Sequence, residues 1–331
     1  MAIKIESLSG VVHSPTDVAH ATIQWANRWQ GDSGMGYAFG VDAVDDKMLP
    51  FRPGRQTIIV GRPGHGKTTL LSYVTANICK QLVTRNIENK MVIAFTWEQY
   101  VEELAATIAS VPGATMGEIE RGESNQHAIE QMGIKLIRMP LWMIGYSYEL
   151  QDYVVKGPDN QQRKLPRLTP QVIADAVNWI SEEYGIQPAA MTFDYLQEMT
   201  IDGSIEKRQQ VDAAAHVTKE MALRFGAPSI VAAQARREVD DYKFKTPQLG
   251  DCQWSSVGEQ ISDTVLGTWM PYVSLGKGQL DVMGVQYDIT PNMLVLRMNK
   301  QRGGIPRATW LLHVNHQTLA MSDYTDADDL F

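Results

Sequence analysis

The chain has 331 residues, 44% hydrophobic and 21% charged, with a formal net charge of −8. These values fit a globular protein with a sizeable core, and the negative balance argues against a protein that coats nucleic acid with a basic surface. The N-terminus lacks the apolar core of a signal peptide, no segment approaches the ~18 apolar residues that span a bilayer, and Cys79 and Cys252 have no metal-ligand spacing, so the expectation is a cytoplasmic protein with reduced thiols and no membrane contact.

Ser14-Pro15 opens a helix, with a cap and a first-turn proline. Val18, Thr22, Trp25 and Trp29 then share one face. A Gly-rich linker follows, 31–36. Two docking partners stay open for this helix: its own domain or a neighbouring subunit. From about residue 40 strands and helices alternate. Strands are predicted at 56–60, 91–96, 190–194, 228–233, 264–269, 293–298 and 308–314, and helices at 67–83, 99–110, 116–132, 169–184 and 206–225. Such alternation predicts an α/β fold, a mainly parallel sheet with helices on both faces, and the closing strands form an antiparallel extension. The polar stretch 145–168 reads as an exposed loop. No internal repeat is visible.

The first strand runs into Gly61-Arg62-Pro63-Gly64-His65-Gly66-Lys67-Thr68, and Thr69 opens the following helix. This is a complete Gly-x-x-x-x-Gly-Lys-Thr phosphate loop between strand and helix. All of these residues, Gly61 to Thr69, are candidate nucleotide contacts. The glycines let backbone N–H groups curl around phosphates at a helix N-terminus. Lys67 is expected to reach the β- and γ-phosphates, and the Thr68 hydroxyl to ligate Mg²⁺. The implied cofactors are ATP, or another nucleoside triphosphate, and Mg²⁺.

Three further strands end in polar residues where an open α/β sheet binds its ligands. Glu98 follows the second strand and is the candidate that polarises the attacking water. Asp194 ends the third, as a Mg²⁺ site of the Walker B type requires, and Tyr195-Leu196-Gln197 follow it. Gln234 ends the fourth and can hydrogen-bond the γ-phosphate or its water. Arg236, Arg237, Lys243 and Lys245 come next. They read either as a loop that holds a phosphodiester backbone or as solvated surface.

The order of the phosphate loop, Trp97-Glu98, Asp194-Tyr195-Leu196-Gln197 and Ala233-Gln234-Ala235-Arg236-Arg237 resembles the RecA-fold motor domain of DnaB-like replicative helicases. Residues 251–263 fit that family's Asp-Leu-Arg-Glu-Ser-Gly-x-Ile-Glu-Gln-Asp-Ala-Asp segment. They keep Asp251, Ser255, the Glu259-Gln260 pair and Asp263, with Gln253 and Trp254 where the family has Arg and Glu. Lys300-Gln301-Arg302-Gly303-Gly304-Ile305-Pro306 resembles the family's Lys-x-Arg-Asn-Gly-Pro hairpin, with Gly304 shifted. The resemblance covers about residues 35–323 and implies a RecA-like P-loop ATPase core.

The resemblance further implies a ring, expected to be a hexamer, in which Lys300 and Arg302 reach a neighbour's γ-phosphate from a hairpin with a tight Gly303-Gly304 turn. It implies single-stranded DNA held in a central channel, where a few contacts per subunit suffice and an acidic exterior is tolerated. Residues 1–34 then correspond to a linker helix that packs on the adjacent motor. The collarless layout resembles phage or mobile-element enzymes. The acidic, Phe-ended stretch 324–331 is similar to tails that dock on replication partners such as a polymerase, primase or loader; a merely solubilising end is its alternative. Two alternatives stand beside a helicase: an ATP-switched assembly factor or recombinase-like filament protein, and a regulatory ATPase without nucleic acid.

Overall fold

The computed structural model describes residues 13–28, 36–149, 167–201, 206–253, 257–282, 284–305 and 307–324. The chain divides into two compact units, Met1–Tyr37 and Ala38–Phe331. The first contains helix α1 (Pro15–Arg28). Its start is a reciprocal cap: Asp17 N donates to Ser14 Oγ at 3.2 Å and Ser14 N to Asp17 Oδ2 at 3.3 Å. Helical spacing puts Val18, Thr22 and Trp25 on one face, while Trp29 lies outside the described residues.

The second unit runs α2 (Asp42–Asp45), β1 (Gln56–Gly61), α3 (Lys67–Thr84), β2 (Lys90–Thr96), α4 (Val101–Ile108), α5 (Met116–Glu120), α6 (Gln126–Ile137) and β3 (Leu141–Ile144). It continues with α7 (Pro170–Tyr184), β4 (Gln187–Asp194), α8 (Lys207–Arg224), β5 (Ser229–Gln234), α9 (Val257–Ile261), β6 (Thr264–Trp269) and α10 (Pro271–Leu275). β7 (Gln279–Val282), β8 (Val285–Asp288), β9 (Met293–Gln301), β10 (Ala308–Val314) and β11 (Met321–Asp323) complete it.

A nine-stranded sheet has the order β11-β10-β9-β6-β1-β5-β4-β2-β3. From β6 to β3 every pairing is parallel, and β9, β10 and β11 add to β6 antiparallel in turn. β1 is buried at all six positions because both faces are covered. Ile58, Val60, Ile93, Phe95, Met191 and Phe193 pack in one cluster with Ile173 and Val177 of α7 and Val211 and Ala215 of α8. The alternate residues meet the opposite layer: Ala94 packs with Leu104 and Ile108 of α4, and Thr75 of α3 donates to Thr192 at 3.2 Å. The α/β architecture expected from strand–helix alternation is therefore present, antiparallel extension included.

Three details differ from the sequence expectation. The single helix expected at 116–132 is two. α5 starts with a capping box between Thr115 and Glu118, Gly122 turns the chain at φ +67°, and Asn125 Oδ1 accepts Ala128 N at 2.8 Å to start α6. The short strands β3, β7, β8 and β11 were not anticipated; at three or four residues they carry too little alternation to read. Finally, the expected tight turn is a longer connection. Pairing with β10 stops at Met298–Ala308, while β9 continues beside β6 through Gln301–Thr264. The Gln301 side chain holds this departure by donating to Lys47 O and Ile305 O and accepting Leu49 N. Of the polar loop expected at 145–168, residues 150–166 lie outside the described residues.

Phe95 and Phe193 stack with ring centroids 4.6 Å apart, joining β2 to β4, and Trp97 stacks beside both. Phe193→Ala is expected to cost about 3–5 kcal/mol of unfolding free energy, read as a lowered denaturation midpoint.

Candidate active site

β1 ends at Gly61, paired with Gln234 of β5 on one side and Thr268 of β6 on the other. The chain then turns through 62–66 into α3. Gly64 and Gly66 hold φ of +76° and +82°, and a Cβ on Gly66 would stand 2.9 Å from Leu294 Cδ1. The N-cap of α3 is Gly66, with no side-chain cap among the described residues. The first amides of an 18-residue helix are thus left to an anion. The loop is braced from β6: Thr268 Oγ1 donates to His65 O at 2.9 Å, and His65 Nδ1 lies 3.2 Å from Met270 O. Burial lowers the His65 pKa, so its ring is neutral near pH 7.

Lys67 opens α3 and donates to Arg62 O at 3.1 Å. Burial lowers its pKa, opposed by the charges of Asp194 and Glu98. Thr68 Oγ1 donates to Asp194 Oδ2 at 2.9 Å. Asp194 is 1% exposed, and its Oδ1 is a buried oxygen without a hydrogen-bond partner among the described residues. Burial raises this carboxyl to a pKa of about 6. Glu98, just beyond β2, is exposed as a residue, yet desolvation of its carboxyl raises the pKa while Lys67 opposes the shift. The ends of β1, β2 and β4 thus bring Lys67, Glu98 and Asp194 close enough for charge to shift their pKa values, with Thr68 hydrogen-bonded to Asp194. The Thr68 hydroxyl and the unpartnered Asp194 oxygen are hard oxygen donors that fit Mg²⁺, which takes few protein ligands and retains water.

Gln234 sits beside Gly61 at the end of β5. Its backbone is clasped by Gln197, a buried side chain that accepts Gln234 N at 3.1 Å and donates to Gln234 O and Gln253 O, both at 3.3 Å. Arg62 reaches away from the phosphate loop to Asp240, with Nε 3.1 Å from both carboxylate oxygens, and to Ala235 O at 3.1 Å. This ties the phosphate loop to the segment after β5 that carries the candidate DNA cations. Within that segment Arg236 pairs with Asp251 at 2.8 Å and with the Tyr242 hydroxyl. Lys245 donates to Asp240 O, and Arg237 and Lys243 are exposed. Gln197 and Asp240 had no functional reading in the sequence. Their partners lie 37 and 178 positions away, and only the strand order brings them together.

Lys300 and Arg302 are not in this cluster. β9 runs antiparallel to β6, so both stand at the opposite edge of the sheet, beside Asp263 and the start of β1. The six residues of β1 separate the two edges by about 17 Å. Arg302 Nη1 lies 3.1 Å from Asp263 Oδ1, and Lys300 donates to Gln260 O.

The pKa of Asp194 sets a pH dependence. A proton must leave this carboxyl before it can ligate a cation, so Mg²⁺-nucleotide affinity is expected to fall as pH drops through about 6, with proton uptake by buffer on binding seen by calorimetry. Because the folded pKa lies above the usual carboxylate range, ionised Asp194 destabilises the ligand-free fold, in full above about pH 6. Asp194→Asn is therefore expected to melt higher than the parent at pH 8, the gap closing toward pH 4, while losing Mg²⁺-dependent nucleotide binding.

A family model described as the DnaB-like helicase C-terminal domain matches residues 36–318. Among curated relatives, the replicative DNA helicase DnaB of Mycoplasma genitalium is 24% identical over 237 residues, covering 70% of this chain and 46% of the relative. The probable plasmid replicative DNA helicase of Chlamydia muridarum is 22% identical, covering 70% and 46%. The probable replicative DNA helicase of Trieres chinensis is 25% identical, covering 81% and 53%. The chain spans about half the length of these relatives. Among solved structures, the ATPase domain of G40P superposes with a TM-score of 0.72 at 15% identity, covering 95% of this chain and all of that one. A DnaB-like replicative helicase, described with its interactions with primase, gives 0.69 at 14% identity, covering 95% and 68%. At that identity the likeness is one of fold.

Proposed function

The chain belongs to the DnaB-like helicase C-terminal domain family, and from that membership and the site geometry we propose an ATP-hydrolysing motor that tracks on single-stranded DNA and separates duplex during replication. The observation that carries this reading is the convergence of Lys67, Thr68, Asp194 and Glu98 at one sheet edge. The amides of the Gly64–Gly66 turn and Lys67 hold the triphosphate, with Arg62, Pro63, His65 and Thr69 completing the loop. Thr68 and Asp194 hold Mg²⁺, which when bound neutralises charge on the phosphate oxygens. Glu98 takes the proton of the attacking water, and its raised pKa makes it the stronger base. Gln234 hydrogen-bonds near the γ-phosphate, its clasp by Gln197 passes the loss of that phosphate to the Gln253 segment, and Arg62 passes it to Asp240.

The site is incomplete in one copy. Arg302 is too far from its own phosphate loop, so the arginine that stabilises the transition state comes from an adjacent copy, with Lys300 beside it. A closed hexameric ring satisfies every site in this way. The α1 face of Val18, Thr22 and Trp25 docks on the neighbouring subunit in this reading, with 35–323 as the motor. The stretch 324–331, whose residues 325–331 lie outside the described residues, contacts a replication partner. Among the described residues no helix is long and apolar enough to cross a membrane. The replicative helicases among its relatives favour a duplex-separating motor over a nucleotide switch without unwinding.

Lys67→Ala is expected to lower ATP turnover to background. Glu98→Gln should bind ATP with near-parent affinity and hydrolyse it at least about a hundredfold more slowly. Single-stranded DNA should stimulate turnover of the assembled parent in a salt-sensitive manner, weakened by Lys243→Ala or Arg237→Ala. A protein whose turnover ignores single-stranded DNA at every salt concentration is a regulatory ATPase instead.

A further inference from the structure

Asp263, the residue before β6, is 4% exposed, and its carboxylate accepts hydrogen bonds from three groups and forms an ion pair with a fourth. Gln56 N donates to Oδ2 at 2.9 Å and Lys219 Nζ to the same oxygen at 2.6 Å. Arg55 Nη1 lies 2.6 Å from Oδ1, and Arg302 Nη1 3.1 Å from it. The Asp263 carbonyl also accepts Arg302 N at 2.8 Å. One residue therefore grips Arg302 at both its backbone and its guanidinium.

Arg55, Lys219 and the Gln56 amide already supply a donor to each carboxylate oxygen. The carboxylate does not need Arg302 for its own neutralisation. The contact instead acts on Arg302, whose side chain remains 54% exposed. Holding one nitrogen of the planar fork restricts the rotamers of a long side chain and aims the rest of it. The shared carboxylate also lets the guanidinium turn toward a second anion without leaving a bare buried charge behind. Burial would raise the Asp263 pKa, but the bonds from Lys219, Gln56 and Arg55 hold it below the usual carboxylate value, so the grip persists through neutral pH.

We propose that Asp263 is a positioning residue for the arginine that one copy lends to the next: it presets Arg302 at the sheet edge so that the guanidinium meets a neighbour's phosphate. The inference rests on the reading of Arg302 as a finger in trans, and the two can be told apart. The test uses the full chain in its assembled state, with ATP turnover and nucleotide binding measured on the parent, Arg302→Ala, Asp263→Asn and the double variant Lys219→Met/Asp263→Asn. The double variant removes a half-buried cation together with the charge that compensates it, and so carries the test if Asp263→Asn fails to fold. Lys219→Met alone should turn over within about twofold of the parent.

Asp263→Asn and the double variant are expected to lose tenfold or more in kcat, with nucleotide affinity changed less than about twofold. Mixing either with Lys67→Ala, under conditions of proven subunit exchange, should restore turnover as it does for Arg302→Ala, because the Lys67→Ala copy supplies an intact finger to an intact neighbouring site. Rescue of Arg302→Ala with Asp263→Asn at parent turnover, or with impaired Asp263→Asn that mixing does not rescue, overturns the role of Asp263 alone. Failure to rescue Arg302→Ala overturns the finger, and this inference with it.

Discussion

Parallel pairing of β1 with β5 and β6 is the constraint from which the rest of the molecule follows. In parallel strands all C-terminal ends share one edge, so Gly61, Asp194 and Gln234 emerge together although 133 and 173 positions separate the latter two from Gly61. The same pairing puts the starts of β1 and β6 at the far edge. β9 then runs back along β6 and delivers Arg302 to that far edge. Chemistry at one edge and a cation at the other, with about 17 Å of buried strand between them, are what the proposed head-to-tail assembly requires.

The two edges differ in electrostatic state. At the phosphate-loop edge Lys67, Glu98 and Asp194 are each pushed toward their neutral forms by burial, and Asp194 keeps an oxygen without a partner among the described residues. Opposite charges brought by a multivalent ligand offset that burial cost, which is what a binding site for phosphates and a cation requires. At the far edge Asp263 is held ionised by Lys219, Arg55 and the Gln56 amide, a satisfied cluster that gives rigidity without any ligand. Arg62–Asp240 binds the phosphate loop to the segment bearing Arg237 and Lys243, and Gln197 joins the end of β5 to Gln253. A change in phosphate occupancy has a short, bonded path to that segment.

Much of this was legible in the sequence because it is local. The phosphate loop lies within eight residues, the core strands are buried on both faces and read as apolar runs, and Asp194 and Gln234 end theirs. Boundaries written in cap residues were legible but missed: Asn125 and Gly122 split the helix expected across 116–132. The clasp by Gln197, the Arg62–Asp240 pair and the hub at Asp263 were not legible. Each depends on the strand order β6-β1-β5-β4, which interleaves segments remote in the chain, and no local pattern encodes that order. The longer connection after β9 has the same origin, since β6 and not β10 is the partner of Lys300 and Gln301.

The most direct measurement is a cryo-electron microscopy structure of the assembled chain with ADP, beryllium fluoride, Mg²⁺ and single-stranded DNA. The account predicts that the fluoride group above Lys67 and Thr68 of one copy lies within hydrogen-bond distance of Arg302 from the adjacent copy. A site whose fluoride group meets only cations of its own chain would contradict it.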